Sequence, residues 1–176
     1  MSISIRNQTM SVFVLLLSVF LLSIGCASGG GGAADMPSGP SALAGGKKVG
    51  RLSVSIGDGL AENVLQVAEQ FSIVRDLDAG VRRELADEGL SSSGSLSIDV
   101  EIVGLRIRST SAAIWWGMMA GADTITVQVS VTENGESIKN FQTGTSTALG
   151  GFVYGGRGKR ITRMLNTLSK RIAAGL

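Results

Sequence analysis

The chain has 176 residues, with 16 basic and 14 acidic side chains, a formal charge of +2, no histidine and a single cysteine. Without histidine the commonest general base and metal ligand are missing, which excludes Ser-His-Asp, Cys-His and Cys/His zinc arrangements. One cysteine also excludes an internal disulfide, so the fold carries no covalent staple.

In chain order, residues 1–8 carry one charged side chain, Arg6, and residues 10–24 form an uncharged, largely apolar run that ends in Leu22-Ser23-Ile24-Gly25-Cys26. The run is 15 residues long, short of the roughly 20 that a stable spanning helix needs. A short basic start, an apolar middle and a small residue at the end are the parts of an export signal. The segment resembles a bacterial lipoprotein signal peptide, although Ser23 stands where such signals usually carry Leu. The resemblance implies diacylation of the Cys26 thiol, cleavage before it and acylation of the new amine. Each acyl CH₂ contributes about 0.8 kcal/mol, so two or three chains anchor a protein stably. The alternatives are an uncleaved anchor helix or a secreted chain. Ala27, where an Asp would favour the inner membrane, resembles the pattern of outer-membrane cargo. The expected location is therefore the cell outer membrane, lipid-anchored and facing the periplasm.

Three regions follow: a signal peptide over 1–25, the lipidated cysteine and a tether over 26–48, and one domain over 49–176. Residues 27–46 hold seven glycines and both prolines, a composition that cannot bury enough surface to offset its ordering entropy. The 128 residues from Val49 onward suffice for a core without metal or disulfide.

Within that domain, alternation of Leu52, Val54 and Ile56 predicts a first strand over Val49–Ile56. Residues 62–70 are ambiguous, with helical residue types but a poor apolar stripe. Ser72 is placed to cap a helix over 72–88, with Ile73, Leu77, Val81 and Leu85 at spacing four and Gly89 as the stop. Gly80 weakens that helix by about 1 kcal/mol of propensity. Leu96, Ile98, Val100 and Ile102 alternate on even positions, then Val103, Leu105 and Ile107 on odd ones. The shift at Gly104 predicts a β-bulge. Residues 123–132 form the clearest strand, with Ile125, Val127, Val129 and Val131 on one face. Asn134-Gly135 predicts a tight hairpin turn into a partner strand over 137–146. After a glycine-rich loop, Ile161, Leu165, Leu168 and Ile172 predict a helix over 159–174. The fold class is α+β: a mostly antiparallel sheet in the order β-α-β-β-β-α, with two helices packed on one face.

The signal, this element order, Arg106-Ile107-Arg108, Gly117-Met118-Met119-Ala120-Gly121-Ala122-Asp123 before a Val/Thr strand, and a last helix ending Arg171-Ile172-Ala173-Ala174 form a pattern. It resembles small Gram-negative lipoproteins carrying the domain of unknown function 4410, from about Val49 to the C-terminus. Residues 62–70 depart from that pattern. The resemblance implies an envelope lipoprotein with an α+β domain and brings no catalytic residues.

Four features of the sequence bear on chemistry. Asp76 and Asp78 lie two apart on a helix and point to different faces, which suits a solvated surface better than a metal site. The Gly150-to-Lys159 stretch fails as a phosphate loop, because Arg157 and Gly158 stand where Lys and Ser/Thr are needed. Segment 112–122 holds both tryptophans; Trp115, Trp116, Met118 and Met119 are core, a pocket wall or an interface for a partner or the membrane. Charge is uneven: no acidic residue follows Glu136, while Lys139, Arg157, Lys159, Arg160, Arg163, Lys170 and Arg171 do. Either these cations pair internally, or Arg157, Lys159, Arg160 and Arg163 form a candidate anion site for lipid phosphate or an acidic glycan.

The expected function is a membrane-anchored, non-enzymatic binding or assembly accessory in the periplasm, with an envelope protein partner. Beyond the covalent lipid on Cys26 no cofactor, catalytic residue or metal is expected, and no nucleic acid partner. The alternative is an oligomeric subunit of an envelope secretion or transport assembly, similar to curli-secretion lipoproteins.

Overall fold

Alternating Val/Ile/Leu runs separated by turn residues build the sheet, and two helices with apolar stripes cover one side of it. The computed structural model describes residues 47–91, 93–109, 121–147 and 156–176. The elements are β1 (Val49–Ile56), α1 (Glu62–Gln70), α2 (Ile73–Asp87), β2 (Leu96–Arg106), β3 (Asp123–Glu133), β4 (Glu136–Thr147) and α3 (Arg157–Ala174). The sheet order is β1-β2-β3-β4. β1 pairs parallel with β2, whereas β2–β3 and β3–β4 are antiparallel.

The mostly antiparallel sheet stands as expected, with two of its three pairings antiparallel, and one helix is added. The sheet is mixed, because two helices intervene between β1 and β2 and return the chain to the end where β1 began, which a hairpin cannot do. There are three helices rather than two, since residues 62–70 form α1. Its stripe is poor because it buries little: Ala68 is its one fully buried residue, and Leu65 is exposed. α1 packs on α2, α2 on β1, α3 on β4, and α2 and α3 on each other. The α+β class and the packing of α2 and α3 on one face stand as expected.

Ser72 occupies the N-cap position of α2 without a side-chain capping bond, at φ 50° and ψ 38°. A capping side chain needs extended backbone, but here α1 ends just before α2 begins, and the left-handed residue makes the turn. The other end is as expected. Gly89 has φ 71°, Leu90 N–H donates to Leu85 O at 2.8 Å and Gly89 N–H to Ala86 O at 3.0 Å. These two bonds satisfy the last carbonyls of the helix.

The bulge lies where the alternation slips: Ile102 faces Val127 and Gly104 faces Thr126, leaving Val103 as the extra residue. Val103 is exposed while Leu105 is buried, so the shifted apolar set begins after the bulge and does not include Val103. Ile125, Val127, Val129 and Val131 are all buried, beside Ile73, Leu77, Val81, Ile161, Leu165, Leu168 and Ile172. Gly80 sits in this helix–helix contact, where a Cβ would overlap the Ser169 hydroxyl. Its small size lets α3 approach α2 closely.

Asn134 and Gly135 have φ of 52° and 87°, and Glu133 faces Glu136 across the ladder. This is a two-residue turn of the type that requires positive φ at both positions. Gly135→Val forces a β-branched residue into that region, and the expected loss is about 1–3 kcal/mol. A melting temperature equal to wild type would contradict the assignment.

Just before the turn, the Glu133 carboxylate accepts from Lys47 Nζ at 2.7 Å and Ser95 Oγ at 3.0 Å. These bonds, Lys47 foremost, hold its pKa below the ordinary glutamate value. Its contribution to stability is present above the unfolded-state pKa and is lost as pH falls through the lower folded value. A carboxyl NMR titration should place Glu133 below ordinary glutamates, and Lys47→Ala should move it back upward.

Candidate functional site

Asp123 is the first residue of β3 and has the same parity as Ile125, Val127, Val129 and Val131. The pleat therefore turns its carboxylate inward, and it is fully buried. A buried carboxylate requires partners, and it has them. Oδ1 accepts from Arg108 N–H at 2.8 Å and from Arg108 Nε at 3.2 Å. Oδ2 accepts from Arg160 Nε at 2.8 Å.

Both arginines make further bonds. Arg108 Nη2 donates to Thr147 O at 3.3 Å, and Arg160 Nη2 donates to Arg108 O at 2.9 Å. Arg157, one turn earlier in α3, donates from Nε to Arg108 O at 3.3 Å and from Nη2 to Ile107 O at 3.2 Å. Its guanidinium also lies 5.6 Å from the Phe71 ring centre, within cation–π range. The first turn of α3 is thus bonded to the segment leaving β2 and to the first residue of β3.

The trio carries two positive charges against one negative, with the side chains of Asp123 and Arg160 wholly buried and that of Arg108 only 4% exposed. Arg160 Nη1 is buried and has no hydrogen-bond partner among the described residues. Between the end of β4 and α3 is a cleft of about 200 Å³ whose lining includes Thr145, Thr147, Arg160, Arg163, Met164 and Arg171. Thr145 and Thr147 lie opposite Ile125 and Asp123, so their side chains share the helix-facing side. Arg171 Nη1 donates to Gly144 O on β4.

The sequence-predicted anion residues divide. Arg160 and Arg163 line the cleft; Arg157 is bonded to the β2 exit; Lys159 is exposed on α3. Arg171 belongs to the cleft and was absent from that set. Of the seven late cations, Arg160 has a carboxylate partner, whereas Arg157 and Arg171 bond carbonyls and Lys139 lies over the Phe141 ring. Asp76 and Asp78 pair with Arg75 and Arg82 on the exposed side of α2. Asp78 is the main reason the Arg82 pKa lies above its ordinary value. Among the described residues no cluster of carboxylates is placed to hold a metal. Cys26, Trp115, Trp116, Met118 and Met119 lie outside the described residues. Sequence reasoning passed over Asp123, although a signal existed: an acid on the inward parity of an otherwise apolar strand.

No family model matches the chain, so the family 4410 resemblance rests on the residue pattern alone, and no curated protein matches it. Solved structures of similar fold include a PelC dodecamer from Paraburkholderia phytofirmans, at 9% identity and TM-score 0.45, covering 73% of this chain and 89% of that one. A Xanthomonas campestris protein of the DUF330 family is similar at 9% identity and TM-score 0.46, covering 78% and 86%. A minor lipoprotein from Acinetobacter baumannii is similar at 11% identity and TM-score 0.40, covering 70% and 87%. Likeness at this level transfers no ligand or partner to this chain.

Removing the carboxylate leaves two buried guanidiniums uncompensated. Asp123→Ala is therefore expected to cost about 3–5 kcal/mol, read from urea denaturation. In an Arg160→Met background the same change should cost clearly less, because one of the two stranded charges is gone. Equal costs in both backgrounds would show that the pair is not coupled.

Proposed function

We propose that the chain is a lipoprotein anchored in the outer membrane through Cys26, with its α+β domain facing the periplasm as a non-enzymatic binding or assembly accessory. The observation that carries this reading is the position of the chain's one cysteine, directly after Gly25 at the end of the apolar run. A lipid-modified thiol there would anchor the chain, because each buried acyl CH₂ contributes about 0.8 kcal/mol.

The non-enzymatic part is supported by how the described polar groups are used. Asp123, the buried carboxylate, is held by three N–H donors and ties segments together. A catalytic acid or base instead needs a proton to exchange within reach of a substrate. The recognition part is supported by the basic cleft on α3.

The anchor is tested by expressing Cys26→Ala with labelled palmitate. Loss of label and release of the protein from the membrane fraction are expected. Unchanged labelling and fractionation would refute the anchor.

A further inference from the structure

We infer that Arg82 and Arg171 guard the two outer edges of the sheet against strand addition by a second copy of this chain. Each reaches from a covering helix and occupies a carbonyl that an incoming strand would need.

β1 and β4 are the outer strands, and an outer strand offers a row of N–H and C=O groups that can template another strand. Short length, proline and charged side chains are common defences. Here β1 has 8 residues and β4 has 12. Neither holds a proline, and Arg51 is the one charge on β1. On β4, Glu136, Lys139 and the bulge at Ile138 protect the start of the strand, since a bulge twists an edge away. From Asn140 to Thr147 the strand is regular and uncharged. That stretch and the middle of β1 need another defence.

Strand geometry tells which carbonyls point outward. Gly57 N–H donates to Ile102 O on β2 at 3.0 Å. Alternate residues of a strand face the same neighbour, so Leu52, an odd number of positions earlier, turns its N–H and C=O away from β2. On the other side of the sheet, Glu133 and Glu136 close the turn as a hydrogen-bonded pair. Thr126, an odd number of positions before Glu133, therefore bonds β2 rather than β4, and Gly144 opposite it faces outward. These are the carbonyls that the arginines take. Arg82 Nη2 donates to Leu52 O at 3.0 Å, and Arg171 Nη1 donates to Gly144 O. The same contact is built twice, from α2 and from α3, on opposite edges.

Arg82 is itself held in place. Its Nε donates to Asp78 Oδ2 at 2.7 Å and its Nη2 to Asp78 Oδ1 at 2.9 Å, across one helical turn. The start of β1 is covered separately, by the bond from Val49 N–H to Leu90 O at 2.8 Å. A second copy could pair with the outward groups of Val54 and Ile56, or of Asn140 and Gln142, only by displacing a guanidinium from its carbonyl. Its own arginine would arrive at the same rim, and like charges facing each other disfavour the pairing.

The test is sedimentation velocity of the full chain in density-matched detergent over a range of concentrations. Arg82→Met and Arg171→Met keep an apolar stem but lose the donors. Each should associate at concentrations about tenfold or more below wild type, whereas Arg83→Met and Lys170→Met, exposed charges off the edges, should shift association less than about twofold. Hydrogen exchange should slow by about tenfold or more at the Val54 and Ile56 amides of the first variant and at the Asn140 and Gln142 amides of the second. Adding Gln142→Pro to Arg171→Met removes an outward N–H, which an edge strand tolerates, and should abolish the association. A chain that aggregates only because it is destabilised would instead be made worse by the proline. Asp78→Asn, which loosens Arg82 without removing it, should raise association at the β1 edge and serves if Arg82→Met does not fold. Association unchanged from wild type, equal association of the off-edge variants, or no slowing at the outward amides would overturn the guard. So would outward amides that are already protected in the wild type.

Discussion

The Asp123 carboxylate is the constraint on which the described fold depends. It receives N–H groups from Arg108 and Arg160, so a single side chain joins the exit of β2, the start of β3 and the first turn of α3. The apolar stripe of α3 would hold a helix against the sheet without setting its rotation or its position along the strands, because hydrophobic contact is non-directional. Charge-assisted hydrogen bonds add geometric specificity and are roughly twice as strong as neutral ones. In a buried setting, an alternative seating of α3 would strand a charge, and that cost selects the observed arrangement.

Around this lock the packing follows from small residues and strand parity. Gly80 on α2 leaves room for Ser169 on α3, whose hydroxyl turns back to Leu165 O at 2.9 Å. The two helices close over the face built by Ile98, Val100, Val127 and Val129. The parallel pairing of β1 with β2 places the α1–α2 crossover over the β1 side, so α3 occupies the β4 side. The basic residues of α3 then meet the β4 edge, where Arg171 reaches Gly144, and the cleft forms between them.

The charge asymmetry acquires a location in this way. Eight basic and fourteen acidic side chains lie in residues 27–138, and seven basic and no acidic ones after that. Among the described ion pairs, Asp123 is the acid that reaches the late set, through Arg160.

The sequence by itself determined most of the local structure. Strict alternation marked β3, Asn134-Gly135 marked its turn, the parity slip at Gly104 marked the bulge, and the three- and four-residue spacings of α2 and α3 marked the helices that cover the sheet. Each of these is a short-range requirement of pleat, turn or helix period, so it is written in neighbouring residues. The helix over 62–70 was not legible, because α1 buries mainly Ala68 and lacks a wide apolar stripe to announce it. Nor was the parallel pairing of β1, since a strand's pattern does not record the direction of its neighbour. The role of Arg160 was decided by tertiary structure alone. Read in sequence it is one of several late cations. Folded, it is buried with two nitrogens bonded and one without a partner among the described residues, because Asp123 and Arg108, 37 and 52 residues away, meet it only when the sheet and α3 close together.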